Sequence, residues 1–475
     1  VWLALAMIVV ASALIALSLP NATIVIGGAL ALIALLRWHE LGLYALIFAV
    51  PYGSWFPISV GVGNFTAVDA LVLVLIALWL ARMIARERRI AIRFPPLTFP
   101  FAIFLFAALL SMTSALSLPH AVKETTKWLE MFALYLYVAN NFEANKLPRV
   151  LAVMFLAGAS QATIGIYQFL FRAGPEGFLL FGRFIRAYGT FEQPNPFAGY
   201  LALIIPLALG VVSSVVSRQS SVVSRQSTVN SKTVHCSLFT VHYSLFTVAA
   251  LTLAAMFAAI AMSWSRGAWI GVAAGALVTI VVQSRRALIL TNVAALALIV
   301  VAFLGSLNLI PPVIAERFSG IGDYFGVFDV RGVKVDDANF AVVERMAHWQ
   351  AAAEMFATHP WLGVGFGNYA PVYPAYALPR WNDPLGHAHN YYLNIAAETG
   401  AIGLLAYLFF WSAVTWHAWR AIRQSSGMQR GIAAGLLGMI IALALHNGFD
   451  NLFVHGMAAQ VGIGLGMIAI MTNDT

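Results

Sequence analysis

Long apolar runs, separated by polar or Pro/Gly-containing breaks, follow one another along this chain. A helix needs about 20 consecutive apolar residues to cross the hydrocarbon core of a bilayer. Read by that measure, the runs predict about fourteen helices, near 1–18, 22–36, 41–54, 66–84, 98–115, 122–140, 148–171, 195–213, 246–263, 267–283, 287–305, 389–416, 431–447 and 455–472. The second and third are short, so the expected fold is an all-α, polytopic transmembrane helical bundle of about 12–14 spans. Three regions follow. Residues 1–305 form a transmembrane region with a repeat-bearing cytoplasmic loop near 214–245; 306–388 form a long extracytoplasmic loop containing short helices; and 389–475 are C-terminal transmembrane helices.

Composition supports this reading. Of 475 residues, 61% are hydrophobic and 10% charged, and the mean hydropathy is +0.83. Soluble domains are about 45–50% apolar and about 25% charged, so a soluble enzyme, a disulfide scaffold and a disordered chain are excluded. The net charge of +8 does not indicate nucleic acid, because the basic residues are scattered among short loops. The single cysteine, Cys236, leaves no internal disulfide and no multi-cysteine metal site. Val1 to Leu19 has no basic front and no Ala-x-Ala exit, which favours a first span over a cleaved signal peptide.

Lys and Arg in alternating short loops orient the bundle. Arg82, Arg86, Arg88, Arg89, Arg93, Lys146, Arg149, Arg218, Arg225, Lys232, Arg285, Arg286, Arg420, Arg423 and Arg430 fall on one side, expected to be cytoplasmic. The stretches near 51–65, 172–194, 264–266, 306–388 and 448–454 then lie outside. One cytoplasmic loop carries SVVSRQS twice, Ser214–Ser220 and Ser221–Ser227, then VHCSLFT from Val234 and VHYSLFT from Val241. Two Ser-rich copies are too few for a coiled coil and read as a tandem duplication in a tolerant loop. The outer loop is expected to hold an amphipathic helix, roughly Asn339 to Thr358, and behind it the turn Gly363-Val364-Gly365-Phe366-Gly367-Asn368. No strand precedes that turn, so it reads as a tight connection and not as a phosphate-binding fingerprint.

Ionisable groups near the mouth of a membrane bundle are the informative ones, and three clusters fall on the same outer side. The first, GRFIRAYGTFEQPNPFAGY, carries Arg183, Arg186, Glu192 and Asn195, with Asn195 and Pro196 where a helix starts. The second, SWSRGAWIG, places Arg266 at a helix start that Ser265 can cap. A cation there opposes the helix dipole, which an anionic ligand would explain. The third, LGHAHNYYLNIAAETG, holds His387, His389, Asn390 and Glu398. A His at the opening turn of a span is expected to be neutral and able to accept a proton. No HExxH or paired acidic motif accompanies these histidines, so no metal is expected. A weaker group, LHNGFDNLFVHG, adds His446, Asn447, Asp450 and His455, and Arg345 on the outer-loop helix could also face the mouth. Arginines that clamp a diphosphate, beside a neutral His that deprotonates a hydroxyl, fit group transfer from a lipid diphosphate to an alcohol.

In these ordered stretches, together with ERMAHWQAAAEMFATHPWLGVGFGNY, the sequence resembles the O-antigen ligase family from about residue 70 onward. That superfamily also includes O-antigen polymerases and bacterial protein O-oligosaccharyltransferases. The resemblance implies inverting, metal-independent glycosyl transfer, without a cofactor, from an undecaprenyl diphosphate-linked glycan. In ligases the acceptor is a sugar of the lipid A core. His389 takes the place of the family's general base, Arg186 and Arg266 that of its pyrophosphate-holding arginines, and Arg345 that of the arginine in its outer-loop helix. Arg183, Asn195, Glu398, Asp450 and His387 remain supporting candidates. The expected setting is the inner membrane, with lipid and glycan partners, no nucleic acid, and the active site on the periplasmic side. Motifs shared by ligase, polymerase and protein glycosyltransferase do not separate the three. A lipid-linked glycan transporter is the other class, and the absence of related halves speaks against it.

Overall fold

A computed structural model of the chain describes residues 8, 19–55, 57–61, 63–180, 182–223, 236–284, 289, 329–336 and 339–472. The expected spans 1–18 and 287–305 lie outside the described residues, apart from isolated positions, as do residues 224–235; the rest of the stretch near 214–245, expected to be a loop, is helical because its apolar residues extend the flanking helices. The other twelve predicted positions are all helical. They are α1 (Leu19–Arg37), α2 (His39–Tyr52), α3 (Ala67–Glu87), α4 (Thr98–Ser111), α5 (Leu118–Asn141), α6 (Leu147–Phe171), α7 (Pro194–Val223), α8 (Cys236–Ser263), α9 (Arg266–Val281), α12 (Tyr391–Gln424), α13 (Gly427–His446) and α14 (Met457–Thr472). The outer-loop helix is α10 (Phe340–Thr358), followed by the short α11 (Tyr369–Val372). Strand is limited to two short antiparallel hairpins, 58–65 and 179–185.

Among the described residues, six helices are long and apolar enough to cross a membrane, or seven if α1 and α2, bent by 120° at Trp38, count as one broken span. The chain is therefore an all-α, multi-pass membrane protein. The helices α4, α9 and α14 are apolar but shorter than a full crossing. In α5 the apolar run is interrupted by Lys123, Glu124, Lys127 and Glu130.

Helix ends follow local chemistry. Thr66 and Asp69 form a capping box at α3, with the Thr66 N–H donating to Asp69 Oδ2 at 2.6 Å. Pro148 starts α6, where a missing N–H costs nothing. Within lipid, helices associate through small residues that let backbones approach, and α7, α9 and α13 do so here. A Cβ at Gly210 would strike the Gly431 carbonyl, and one at Gly275 the Gly438 carbonyl. At Gly271 it would lie 2.9 Å from the Ala442 oxygen. This glycine-lined trio packs α7, α9 and α13 closely against one another.

At one end of the bundle lie basic residues from the loops assigned to the cytoplasm. Lys146 pairs with Glu40 at 2.9 Å, and Arg93 donates to the Ala139 carbonyl at 2.6 Å. At the other end the stretches around 186, 264–266, 341–345 and 446–450 meet.

Candidate functional site

Those four stretches enclose a cavity of about 150 Å³ lined by Arg186, Asn195, Trp264, Ser265, Arg266, Gly267, Ala341, Arg345, His446, Phe449 and Asp450. Three arginines from three separate segments thus share one space. Arg186 is fixed by donating Nε to the Ser263 carbonyl at 2.8 Å, which ties its loop to the end of α8. Burial, then the charges of Arg345 and Arg266, push the Arg186 guanidinium below its ordinary value. Arg266 opens α9, as the sequence predicts. Ser265 occupies the N-cap position, but its side chain makes no capping hydrogen bond, contrary to expectation. Its backbone N–H instead donates to Ser263 Oγ at 3.2 Å.

Asp450 forms one wall of this cavity, and the two histidines of the HAHN stretch stand beside it. His387 Nε2 lies 3.6 Å and His389 Nδ1 3.7 Å from Asp450 Oδ1, which also accepts the Asn451 N–H at 2.9 Å. Burial alone would raise the Asp450 carboxyl, but His389 beside it holds it well below the usual carboxylate range. Burial lowers His387 to about 4, so it is neutral at pH 7.

His389 was expected on the first turn of a span. It sits instead one residue before the N-cap, in a left-handed conformation with φ +52°. Asn390 is the cap, accepting the N–H groups of Tyr392 and Leu393 at 3.1 Å. Both ring nitrogens of His389 are buried and lack a hydrogen-bond partner among the described residues. A proton on Nδ1, facing the Asp450 carboxylate, would leave the Nε2 lone pair open to accept another.

His387, His389 and Asp450 place three potential metal-binding atoms within 4.8 Å of one another. His387 Nδ1 already accepts the His389 backbone N–H at 3.0 Å, so the neutral ring carries its proton on Nε2, the atom facing Asp450. Two donors then remain, fewer than a zinc-type site uses. The arrangement fits a closely set His–Asp–His group, within 3.6–3.7 Å, better than a metal site.

The other sequence candidates lie elsewhere. Arg183 is exposed, its guanidinium over the Phe184 ring at 5.2 Å, and it does not line the cavity. Glu398 is buried beneath the Gly-rich turn. Its carboxylate accepts the Tyr369 N–H at 3.0 Å, while its own carbonyl accepts the Gly365 N–H at 3.0 Å. The Val364 N–H goes to Ala397 O at 2.9 Å and the Phe366 N–H to Ser111 Oγ at 3.1 Å. The donors of the turn are thus used internally, which agrees with a tight connection. His455 packs against Phe191 and does not line the cavity.

Sequence reading passed over His348. It follows Ala341 and Arg345 on one face of α10, spaced seven and three residues away, a pattern that helical periodicity makes visible. His348 is buried, bonded through Nδ1 to the Tyr369 hydroxyl at 2.9 Å and set edge-on to His389 with ring centroids 5.7 Å apart. Burial, then the neighbouring histidines, lower it to about 4.

Residues 251–408 match the family model described as O-antigen ligase. The matched segment carries Arg266, Arg345, His387, His389 and Glu398, and the fold adds Arg186, Asn195 and Asp450 from outside it. No curated protein matches the chain significantly. A solved structure titled "Structural coordination of polymerization and crosslinking by a peptidoglycan synthase complex" is similar over 81% of this chain and 98% of its own, at 14% identity and a TM-score of 0.41. A likeness that loose extends to no activity. Over residues 251–408, about a third of its length, this multi-pass membrane protein is similar to the O-antigen ligase family.

Proposed function

We propose that the protein transfers a glycan from an undecaprenyl diphosphate carrier to an acceptor hydroxyl, such as one on a lipid A-core sugar, at the periplasmic face of the inner membrane. The observation that carries this reading is the cavity itself: Arg186, Arg266 and Arg345 around one space, with Asp450 joining that space to His387 and His389. Three like charges held together without a ligand repel one another, and a diphosphate supplies the opposite charge and the acceptor oxygens that guanidinium forks bind.

In the reaction, the acceptor oxygen forms a bond to the anomeric carbon as the bond from that carbon to the diphosphate oxygen breaks. Attack from the face opposite the leaving group inverts the centre. The hydroxyl proton passes to His389 Nε2, and Asp450 stabilises the imidazolium that results. The lipid diphosphate leaves with the bonding electron pair, its charge held by the arginines, which act where a metal would otherwise be needed.

The test is His389→Ala, shown to be folded and membrane-inserted, assayed for transfer from a lipid-linked glycan. A loss of several hundred-fold or more is expected, and undiminished transfer refutes the proposal. Gel analysis of surface glycans in a deletion strain separates the activities: loss of ligation leaves no attached glycan, and loss of polymerisation leaves single units.

A further inference from the structure

His389 adopts a backbone conformation that few non-glycine residues enter. Left-handed geometry at an L-residue is unfavourable and persists only where neighbouring contacts enforce it. Among the described residues, two hydrogen bonds reach its peptide groups from side chains. Trp349 Nε1 donates to its carbonyl at 3.3 Å, and its N–H donates to His387 Nδ1 at 3.0 Å. The second closes a short loop from a side chain to the N–H two residues on, the same pattern by which Asn and Asp side chains fix turns. The two rings then stand edge-to-face with centroids 4.5 Å apart, and both approach the same oxygen of Asp450. The intervening Ala388 is fully buried, and its N–H donates to Asn394 Oδ1 at 3.1 Å, so the segment is anchored on α12 between the two histidines.

We infer that His387 is a positioning residue: by accepting the His389 N–H it holds His389 in the left-handed turn that presents the imidazole to Asp450. The ring has two faces of use. Nδ1 sets the backbone, and Nε2–H points to the carboxylate that His389 shares. His387 touches no reacting atom in this account. The inference rests on the proposed role of His389 as proton acceptor.

Three substitutions separate its functions. His387→Ala removes both contacts. His387→Asn keeps an acceptor that can reach the N–H two residues on, and His387→Gln keeps a donor toward Asp450 while losing the short-range acceptor. The expected result is that kcat falls about 10- to 100-fold in His387→Ala with KM within about twofold, since proton transfer is lost and donor binding kept. His387→Asn should recover most of that loss, and His387→Gln should not. Equal losses in His387→Ala and His387→Asn, or losses that track the folded fraction in detergent, overturn the inference. His389→Ala is run alongside. If it transfers glycan at the wild-type rate, the proposed function itself fails. If it is inactive and His387→Asn is no better than His387→Ala, only the role of His387 is refuted.

Discussion

Replacing Arg345 with Met makes activity and stability move in opposite directions. Arg345 lines the cavity with Arg186 and Arg266, and its charge helps to push Arg186 down. It takes part in no hydrogen bond or ion pair among the described residues, so Met removes the charge, keeps an apolar stem and breaks no such bond. Across a space of about 150 Å³, guanidinium groups lie on the order of 10 Å apart, where two unit charges at an effective dielectric of about 20 repel by about 1–2 kcal/mol. Removing one should leave the ligand-free protein as stable as before or more so, with a rise in Tm of about 1–2 °C. Activity should fall. One preorganised group stabilising developing charge contributes about 3–4 kcal/mol, or about 10²–10³ in kcat. The assay pairs thermal unfolding in detergent with transfer from a lipid-linked glycan. A variant that loses Tm and activity together would show Arg345 to be structural, and one with unchanged turnover would show that it does not meet the leaving group.

Other predictions concern the same end of the molecule. Asp450→Asn removes the carboxylate that His387 and His389 share, and transfer should drop by about 10² or more; a rate within threefold of wild type would contradict the role of Asp450 in stabilising the imidazolium. His387 and His348 stay neutral in the fold down to about pH 4, whereas in the unfolded chain they protonate near 6.5. The unfolded chain therefore binds the extra protons between those values, and stability falls as pH drops through that window, by about 3 kcal/mol per histidine. Tm measured from pH 7 to pH 4 reads this directly, and a flat profile would refute it. Gly365→Ala forces a Cβ to within 2.5 Å of Ala115 Cα at a φ of +101°; a loss of about 3 kcal/mol or more is expected, seen as a sharply lower folded yield. Chelation with EDTA should leave transfer unchanged, since the arginines carry the leaving-group charge.

Much of the fold was legible because spanning helices are written in uninterrupted apolar runs. Even α5 was found, although its four charges interrupt that signal. The bend at Trp38 was not foreseen: no proline marks it, and two short runs read equally well as separate helices. Of the site, Arg186, Arg266 and Arg345 stood out because cations are costly and rare in outer loops. Asp450 was visible only as one member of a weak group, since its importance comes from two histidines sixty residues earlier in the chain. His348 was missed because a lone histidine on an apolar helix face resembles a core residue, and only the fold sets it against His389. Glu398 lies away from the cavity. An acid beside HAHN suggests chemistry, but in the fold its carboxylate accepts the Tyr369 N–H just past the glycine turn.

The most direct test is a structure of the protein bound to a short-chain isoprenyl diphosphate-linked sugar in lipid nanodiscs. Both phosphates should lie in the cavity among Arg186, Arg266 and Arg345, with the open side of the anomeric position toward His389. Phosphates resolved elsewhere, with those three guanidinium groups unengaged, would contradict it.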